Sequence, residues 1–476
     1  MDLAAIILAA GKGTRMRSAR AKVLHGLGGG PMIARAIRAV AELGPAPIVV
    51  VVGHQAKEVE AAARERFPRE QLAFALQEPQ RGTGDAARIA LTALPAQFDG
   101  LVLITYGDMP RIGGATLRAF TTAHRKSGAA LSFISIKLAD PKAYGRVVRD
   151  ESGRVVRIVE ARDASPRERT ISEINTGVYL ANVSFLREAL RELQPNNDQN
   201  EYYLTDLVAI ARAKSLGVEA WIASNELEFA GINSRTEMAE MEAAIRESTN
   251  RKLMDAGVTF IDPATAYISE EAEIGADCVI GPNVQILGQC KIAAGVTIEG
   301  TAWLRNVTIG SGTLLKLGVR AEDAIIGDQC EIGPFANLRA GTYLEGENRI
   351  GNFVETKKAR IGRGSKASHL SYLGDATIGR DTNVGCGVIT VNYDGYDKHQ
   401  TEIGDRCMVG CDTQLVAPVK VGNDVYVASG TTILQEVADG ALVMSQHPQR
   451  EKPGWTAQWR KRHGDTPDGN GERHRK

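Results

Sequence analysis

The segment Leu8-Ala9-Ala10-Gly11-Lys12-Gly13-Thr14-Arg15-Met16 follows an apolar run and combines glycines with cations. Glycines let backbone N–H groups approach phosphate oxygens, and Lys12, Arg15 and the nearby Lys22 add positive charge. The spacing is not a P-loop, because no GxxxxG precedes a Lys-Ser/Thr pair. It is not the dinucleotide fingerprint either, because the third glycine is missing. A second feature is Leu101-Val102-Leu103-Ile104-Thr105-Tyr106-Gly107-Asp108, an apolar run that ends in an acid. Strand ends in open α/β sheets face the ligand crevice, and a carboxylate there offers a hard oxygen to Mg²⁺. Singly, the first motif also suits a tight turn and Asp108 a turn residue. Together they favour phosphate chemistry. A third feature lies in basic, polar sequence between residues 339 and 372: Arg339, then Glu355-Thr356-Lys357-Lys358-Ala359-Arg360, then Ser368-His369-Leu370-Ser371-Tyr372. A neutral imidazole accepts a proton near pH 7, and Arg and Lys match a phosphate dianion.

The elements that must position these residues are of two kinds. Over the first ~225 residues, apolar runs alternate with amphipathic ones. Strands are predicted at 4–10, 48–52, 72–77, 101–105, 130–138, 155–160 and 178–180. Helices are predicted at 32–43, 56–67, 85–94, 115–127 and 185–193. This order implies an α/β domain with a mostly parallel sheet covered by helices. Residues 234–256 lack Gly and Pro and read as one helix, with Ser234 as N-cap and Gly257 as its stop. Beyond it the period becomes six. Ile274, Ile280, Ile286, Ile292, Ile298 and Leu304 form one ladder; Ile403, Val409, Leu415, Val421, Val427 and Ile433 form another. Neither helix nor alternating strand has that period. A hexapeptide β-helix does, with one aliphatic side chain per wall pointing inward.

Composition narrows the function. The 476 residues predict two or three domains, and 57 Lys+Arg against 57 Asp+Glu argue against a general nucleic-acid binder. The run Leu3–Ala10 is too short to span a membrane, and Asp2 with no preceding Lys or Arg does not suit a signal peptide. The six cysteines, all beyond residue 277, lack CxxC spacing, so a reducing cytoplasm is expected rather than disulfides or zinc. From Pro448 the chain holds eight Lys/Arg and four Asp/Glu and reads as a solvated, flexible tail.

The first two motifs, with Gln77, Gly82-Thr83-Gly84, Glu160 and Asn175-Thr176-Gly177, resemble those of the sugar-phosphate nucleotidyltransferases. With the hexapeptide half added, residues 3–445 resemble the bifunctional N-acetylglucosamine-1-phosphate uridyltransferase/glucosamine-1-phosphate N-acetyltransferases. The resemblance implies a Rossmann-like nucleotidyltransferase domain over 1–230, a linker helix over 231–256 and a left-handed parallel β-helix acetyltransferase domain over 257–447. The tail would be 448–476. It further implies that Leu8, Ala9, Ala10, Gly11, Lys22, Gln77, Gly82, Thr83, Tyr106 and Gly107 line the nucleotide and sugar site. Asp108 and Asn233 would hold Mg²⁺, and Gly145, Glu160 and Asn175 would contact the sugar. Attack of a sugar-1-phosphate on UTP needs no general base, so Mg²⁺, Arg15 and Lys22 would act by charge neutralisation. Asp85 stands where the family usually has His.

In the second half the resemblance makes His369 the base and places the acetyl acceptor on Arg339, Lys357, Tyr372 and Asn383. On the acetyl-CoA side Asn392 and Tyr393 are kept. Cys386 replaces Ala, Cys411 Ser, Ser429 Ala and Gln446 Arg. A lost charged hydrogen bond costs about 1–3 kcal/mol. The two cysteines read as small buried hydrophobes rather than nucleophiles. The implied product is UDP-N-acetylglucosamine, for peptidoglycan and lipopolysaccharide synthesis, made by a cytoplasmic homotrimer from glucosamine-1-phosphate, acetyl-CoA and UTP. One alternative keeps the uridyltransferase and reduces the β-helix to a trimerisation scaffold. A second uses another sugar or base, and a third is a non-catalytic sensor of UDP-sugars.

Overall fold

The computed structural model describes residues 2–445 and 449–463. The chain divides into two compact units, residues 1–306 and 307–476.

In the first unit, continuous apolar runs become strands buried on both faces, and each amphipathic segment that follows covers the sheet. The strands are β1 (Leu3–Leu8), β2 (Ile48–Val52), β3 (Leu72–Leu76), β4 (Leu101–Tyr106) and β5 (Leu131–Lys137). Helices α1 (Met32–Ala41), α2 (Ala56–Arg66), α3 (Thr83–Leu91) and α4 (Gly114–Ser127) lie between them. The hairpin β6 (Arg146–Arg149) and β7 (Val155–Val159) precedes the long strand β8 (Glu173–Asn182), and β9 (Val218–Ile222) lies at the sheet's edge. The spatial order is β9-β5-β8-β4-β1-β2-β3. Pairing is parallel except at β8, which runs antiparallel to both β4 and β5. The sheet is thus mostly parallel, and β8 is far longer than the expected 178–180. The ends of β1, β3 and β4 open on the same edge, so the loops after Leu8, Leu76 and Tyr106 are neighbours.

The predicted 234–256 helix spans Arg235–Asp255. Ser234 Oγ accepts from Glu237 N at 3.1 Å while Glu237 Oε2 accepts from Ser234 N at 3.2 Å, a reciprocal capping box. At the other end Gly257 has φ +95°, with Val258 N–H donating to Leu253 O and Gly257 N–H to Met254 O. That is a full Schellman stop, and the positive φ explains the glycine. Parallel strands follow from Thr259, with Val279 paired to Thr297, a return after 18 residues. Three walls of six make that coil. Arg35 and Arg38 of α1 pair with Glu270 and Glu271, fixing this first part of the β-helix against the sheet domain.

The second unit consists of further coils. Of the twelve residues in the two long ladders, all but Ile274 are buried, as inward-pointing wall residues must be. Where the six-residue pattern lapses, β10 (Arg349–Ile361) and β11 (Lys366–Ile378) pair in parallel along nearly their whole length. The next coil is longer. Ala376 pairs with Thr401, a return after 25 residues, because the coil carries the extra loop 392–400. Within the segment read as a tail, Trp455–Arg462 forms a helix with Trp455 and Trp459 stacked at 6.2 Å. Among the described residues no helix is long and apolar enough to cross a membrane.

Neighbouring positions of one wall should differ sharply in their effect. Ile309 is buried and Thr308 exposed on the same two-residue strand. Ile309→Ala should cost about 2–5 kcal/mol in chemical denaturation and Thr308→Ala less than about 0.5 kcal/mol.

Candidate active sites

Gly13, at φ +59°, lies where a Cβ would come within 2.8 Å of Lys22 Cβ. Glycine there lets the Lys22–Leu24 turn pass close beneath the loop. The Lys22 ammonium then pairs with the Asp108 carboxylate and donates to Asn233 Oδ1 at 3.2 Å. Asn233 is brought there by backbone, since Ile232 N–H donates to Asp108 O at 3.1 Å. Asp108 and Asn233, 125 residues apart, therefore aim hard oxygens at one positive charge. That donor set fits Mg²⁺, which takes one or two protein oxygens and completes its shell with water and phosphate. Among the described residues no cluster of three or more His, Cys, Asp or Glu could hold a metal.

A cleft of about 820 Å³ opens beside this group, lined by Arg15, Tyr106, Asp108, Gly145, Glu160, Asn175 and Asn233 among others. Asn175 N–H donates to Gly145 O at 2.9 Å, which ties two expected sugar contacts together. Asn175 Nδ2 donates to Tyr179 Oη at 2.7 Å, so its amide is held by β8. Gly177, at φ +87°, leaves room that a Cβ, 2.4 Å from the Tyr106 ring, would take. Burial first, then the charges of Glu160 and Asp108, push the Tyr106 phenol well above its usual range. It stays protonated at neutral pH.

The remaining expected residues of this half sit at adjoining strand ends and at the start of α3 rather than in the cleft lining. Leu8 N-terminal to Ala9, Ala10 and Gly11 closes β1, and Gly107 N–H donates to Leu8 O at 2.9 Å. Gln77, just past β3, is buried, as is Asp85 in α3. Gly82 has φ +103°, and a Cβ there would meet Tyr202 O at 2.6 Å. The segment 201–204 clasps this loop, with Gly84 N–H donating to Tyr202 O and Leu204 N–H to Thr83 Oγ1.

In the second unit Arg339 Nη1 donates to Glu355 Oε1 at 2.7 Å. Register stacks Leu338 on Thr356 and Lys357 on Gly374, so Arg339, Lys357 and Gly374 follow one another on successive coils. A Cβ at Gly374 would lie 2.4 Å from Tyr372 Oη, so the glycine makes room for the phenol. Lys398, on the extra loop, lies beside Lys357. The Lys398 ammonium, with Arg339, holds the Lys357 amine below the usual lysine range. Three cations thus gather at one point. Lys398 escaped the sequence reading because nothing in the local pattern places the loop beside Lys357. Asn392, on the same loop, is buried and donates to Asp375 Oδ2 at 2.6 Å, while Tyr393 is exposed.

His369 is exposed and pairs in register with Asn352. Asn383 pairs with Lys366 one coil on. Val384, Val409 and Val427 are register partners, so Cys386, Cys411 and Ser429, two residues after each, form a column. His369, two residues after Ala367, heads that column because Ala367 pairs with Val384. Both cysteines are exposed, which corrects the reading of them as buried. The inward position belongs to the valine, and two residues later the chain is at a corner facing out. Gln446 lies outside the described residues.

Three family models match the chain: a MobA-like NTP transferase domain over residues 5–171, a GMPPB C-terminal domain over 263–348, and bacterial transferase hexapeptide repeats over 400–435. The Bifunctional protein GlmU of Pelobacter propionicus is 47% identical over 462 residues, covering 97% of this chain and 99% of its own. Its namesake in Trichlorobacter lovleyi is 47% identical over 453 residues, covering 95% and 97%. The Corynebacterium glutamicum protein of that name is 43% identical over 455 residues, covering 95% and 93%. With a nucleotidyltransferase domain in the first half, hexapeptide repeats in the second and relatives that match nearly end to end, the chain belongs to the GlmU family of bifunctional enzymes, joining a uridyltransferase that makes UDP-N-acetylglucosamine to a glucosamine-1-phosphate N-acetyltransferase.

Proposed function

We propose that the two reactions are carried by the residues gathered above. The convergence of Asp108, Asn233 and Lys22 carries the uridyl-transfer assignment. Asp108 and Asn233 would hold Mg²⁺, which when bound neutralises phosphate charge. Lys22 and Arg15 add positive charge beside it. Leu8–Gly11, Gln77, Gly82, Thr83, Tyr106 and Gly107 seat the nucleotide, and Gly145, Glu160 and Asn175 the sugar. A phosphate oxygen of N-acetylglucosamine-1-phosphate forms the new P–O bond at the α-phosphorus of UTP as the bond to pyrophosphate breaks. The nucleophile is already anionic, so no base is needed.

Acetyl transfer precedes it. Arg339, Lys357 and Lys398 take the 1-phosphate of glucosamine-1-phosphate, with Tyr372 and Asn383 beside it. His369 removes the proton of the attacking amine, the C–N bond forms at the thioester carbonyl, and the CoA thiolate leaves. Asn392, Tyr393 and the column Cys386, Cys411 and Ser429 accommodate acetyl-CoA, together with Gln446.

The functional form is a homotrimer acting in the cytoplasm. Phe335 and Phe353, stacked at 5.8 Å, and Leu370 are all exposed at β-helix corners, a face that a second copy of the chain would cover. UTP and acetyl-CoA are metabolites of the cell interior, and among the described residues no cysteine is in a disulfide.

Burial of Glu160, reinforced by the charges of Asp163 and Asp206, raises its pKa. A raised carboxyl contributes stability below its unfolded pKa and loses it as pH climbs through the folded value. Glu160→Gln should therefore raise Tm at pH 7–8 and leave it unchanged near pH 4, while impairing sugar binding. Thermal unfolding across that range checks the sign.

With glucosamine-1-phosphate and acetyl-CoA but no UTP, mass spectrometry should detect N-acetylglucosamine-1-phosphate. His369→Ala should lower that rate about 10²–10⁴-fold and leave uridyl transfer intact. Asp108→Asn, or chelation of divalent metal, should do the reverse. Unchanged acetylation in His369→Ala would remove it from the base role. Sedimentation should give three times the 51.1 kDa chain mass, and Phe353→Glu should reduce the assembly and acetylation while uridyl transfer persists.

A further inference from the structure

Gln77 and Asp85 are 4% and 1% exposed, and their side chains meet inside the protein. Gln77 Nε2 donates to Gly82 O at 3.0 Å and to Asp85 Oδ2 at 3.1 Å. A carboxamide nitrogen has two hydrogens, and both are used here. A backbone carbonyl accepts and does not donate. Asp85 behaves likewise, because its other oxygen accepts from Arg88 at 2.5 Å and from Arg81 at 3.3 Å. The two ends of a glutamine amide have nearly the same shape, so only the hydrogen-bonding character of the neighbours fixes which end points where. With two acceptors on one side, the nitrogen must face them and Oε1 must face away. The Arg88 guanidinium lies over the Tyr202 ring at 5.2 Å, and Tyr202 belongs to the segment that clasps Gly82 and Gly84. Asp85 is therefore anchored to the loop it organises.

We infer that Asp85 is a positioning residue for base choice. It locks the Gln77 amide so that the nucleotide meets a carbonyl acceptor and not an N–H donor. This rests on the reading of Gln77 as part of the nucleotide site. Uracil carries an N3–H donor, which an acceptor satisfies. Cytosine carries a bare N3 acceptor at that position, which a fixed acceptor opposes. A site that cannot turn its amide rejects the mismatched base, because the buried polar groups would be left unpaired.

The test is the ratio of kcat/KM for UTP over CTP, with N-acetylglucosamine-1-phosphate as co-substrate. Asp85→Asn keeps the shape but can present an N–H to Gln77, which removes one of the two acceptors that hold the amide and lowers the cost of turning it against Gly82 O. The ratio should fall tenfold or more, while acetylation of glucosamine-1-phosphate by the same preparation stays at the wild-type rate. A loss of rate equal for both nucleotides would mean a merely structural role and overturn the inference. Gln77→Ala separates this from the site reading. If Gln77→Ala loses the UTP preference and Asp85→Asn keeps it, Asp85 does not set the amide. If Gln77→Ala keeps it too, Gln77 does not read the base and both readings fall. Should Asp85→Asn not fold, Asp85→Ser supplies a hydroxyl that both donates and accepts, and it carries the same expected drop.

Discussion

The ammonium of Lys22 is the point on which the nucleotidyltransferase half closes. It joins the end of β4, through Asp108, to Asn233, which lies just ahead of the Ser234 cap of the long helix Arg235–Asp255, 211 positions further along the chain. The Lys22 and Asp108 side chains are 11% and 21% exposed, so neither charge is left to water. Removing one partner of such a pair strands the other in a poorly solvated place, and that penalty exceeds the worth of any exposed ion pair. The glycine loop serves this pair as well as phosphate. Gly13 has to lack a Cβ for Lys22 to lie where it does. The oxygens that would hold a cation are thus arranged by the same contact that fixes three distant segments.

The second half solves a different problem. A coil of three six-residue walls points one aliphatic side chain inward per wall and leaves the rest facing out. A residue repeated at one place in the coil becomes a column, spaced by the ~4.8 Å between neighbouring strands. His369, Cys386, Cys411 and Ser429 are such a column. Arg339 and Lys357 are another, ending at Gly374 where the missing side chain admits the Tyr372 phenol. The regular coil alone would supply two cations there. The loop 392–400 brings the third, Lys398, at the cost of breaking the 18-residue return.

Much of this was legible in the residues. The ladders of Ile, Val and Leu announced the β-helix because each inward position repeats a local rule, and local rules leave a period. The caps at Ser234 and Gly257 announced the linker helix for the same reason. The motifs at Leu8–Arg15 and Leu101–Asp108 sat at strand ends, which is where parallel sheets place ligands. Less was legible wherever a side chain's meaning depends on its neighbour in space. Cys386 and Cys411 read as buried until the register put Val384 and Val409 inward. Asp85 shows in the sequence only as an acid where the family usually has His; its partners Gln77, Arg81 and Arg88 come from the fold. Strand β8 (Glu173–Asn182) read as a three-residue fragment. Its polar residues Asn175 and Thr176 look like loop in sequence, but Asn175 pairs with Ser135 of β5 and the strand runs on through an irregularity to Tyr179.

The sequence by itself determined the two architectures, the linker between them, the period of the coils and the residue types needed for phosphate and acyl chemistry. These depend on contacts a few residues apart. The tertiary structure alone decided which of those residues meet: Lys22 with Asp108 and Asn233, Lys398 with Lys357, Asp85 with Gln77. Such meetings are set by the register of strands and the return of loops across tens to hundreds of residues, and no local pattern in the chain encodes that distance.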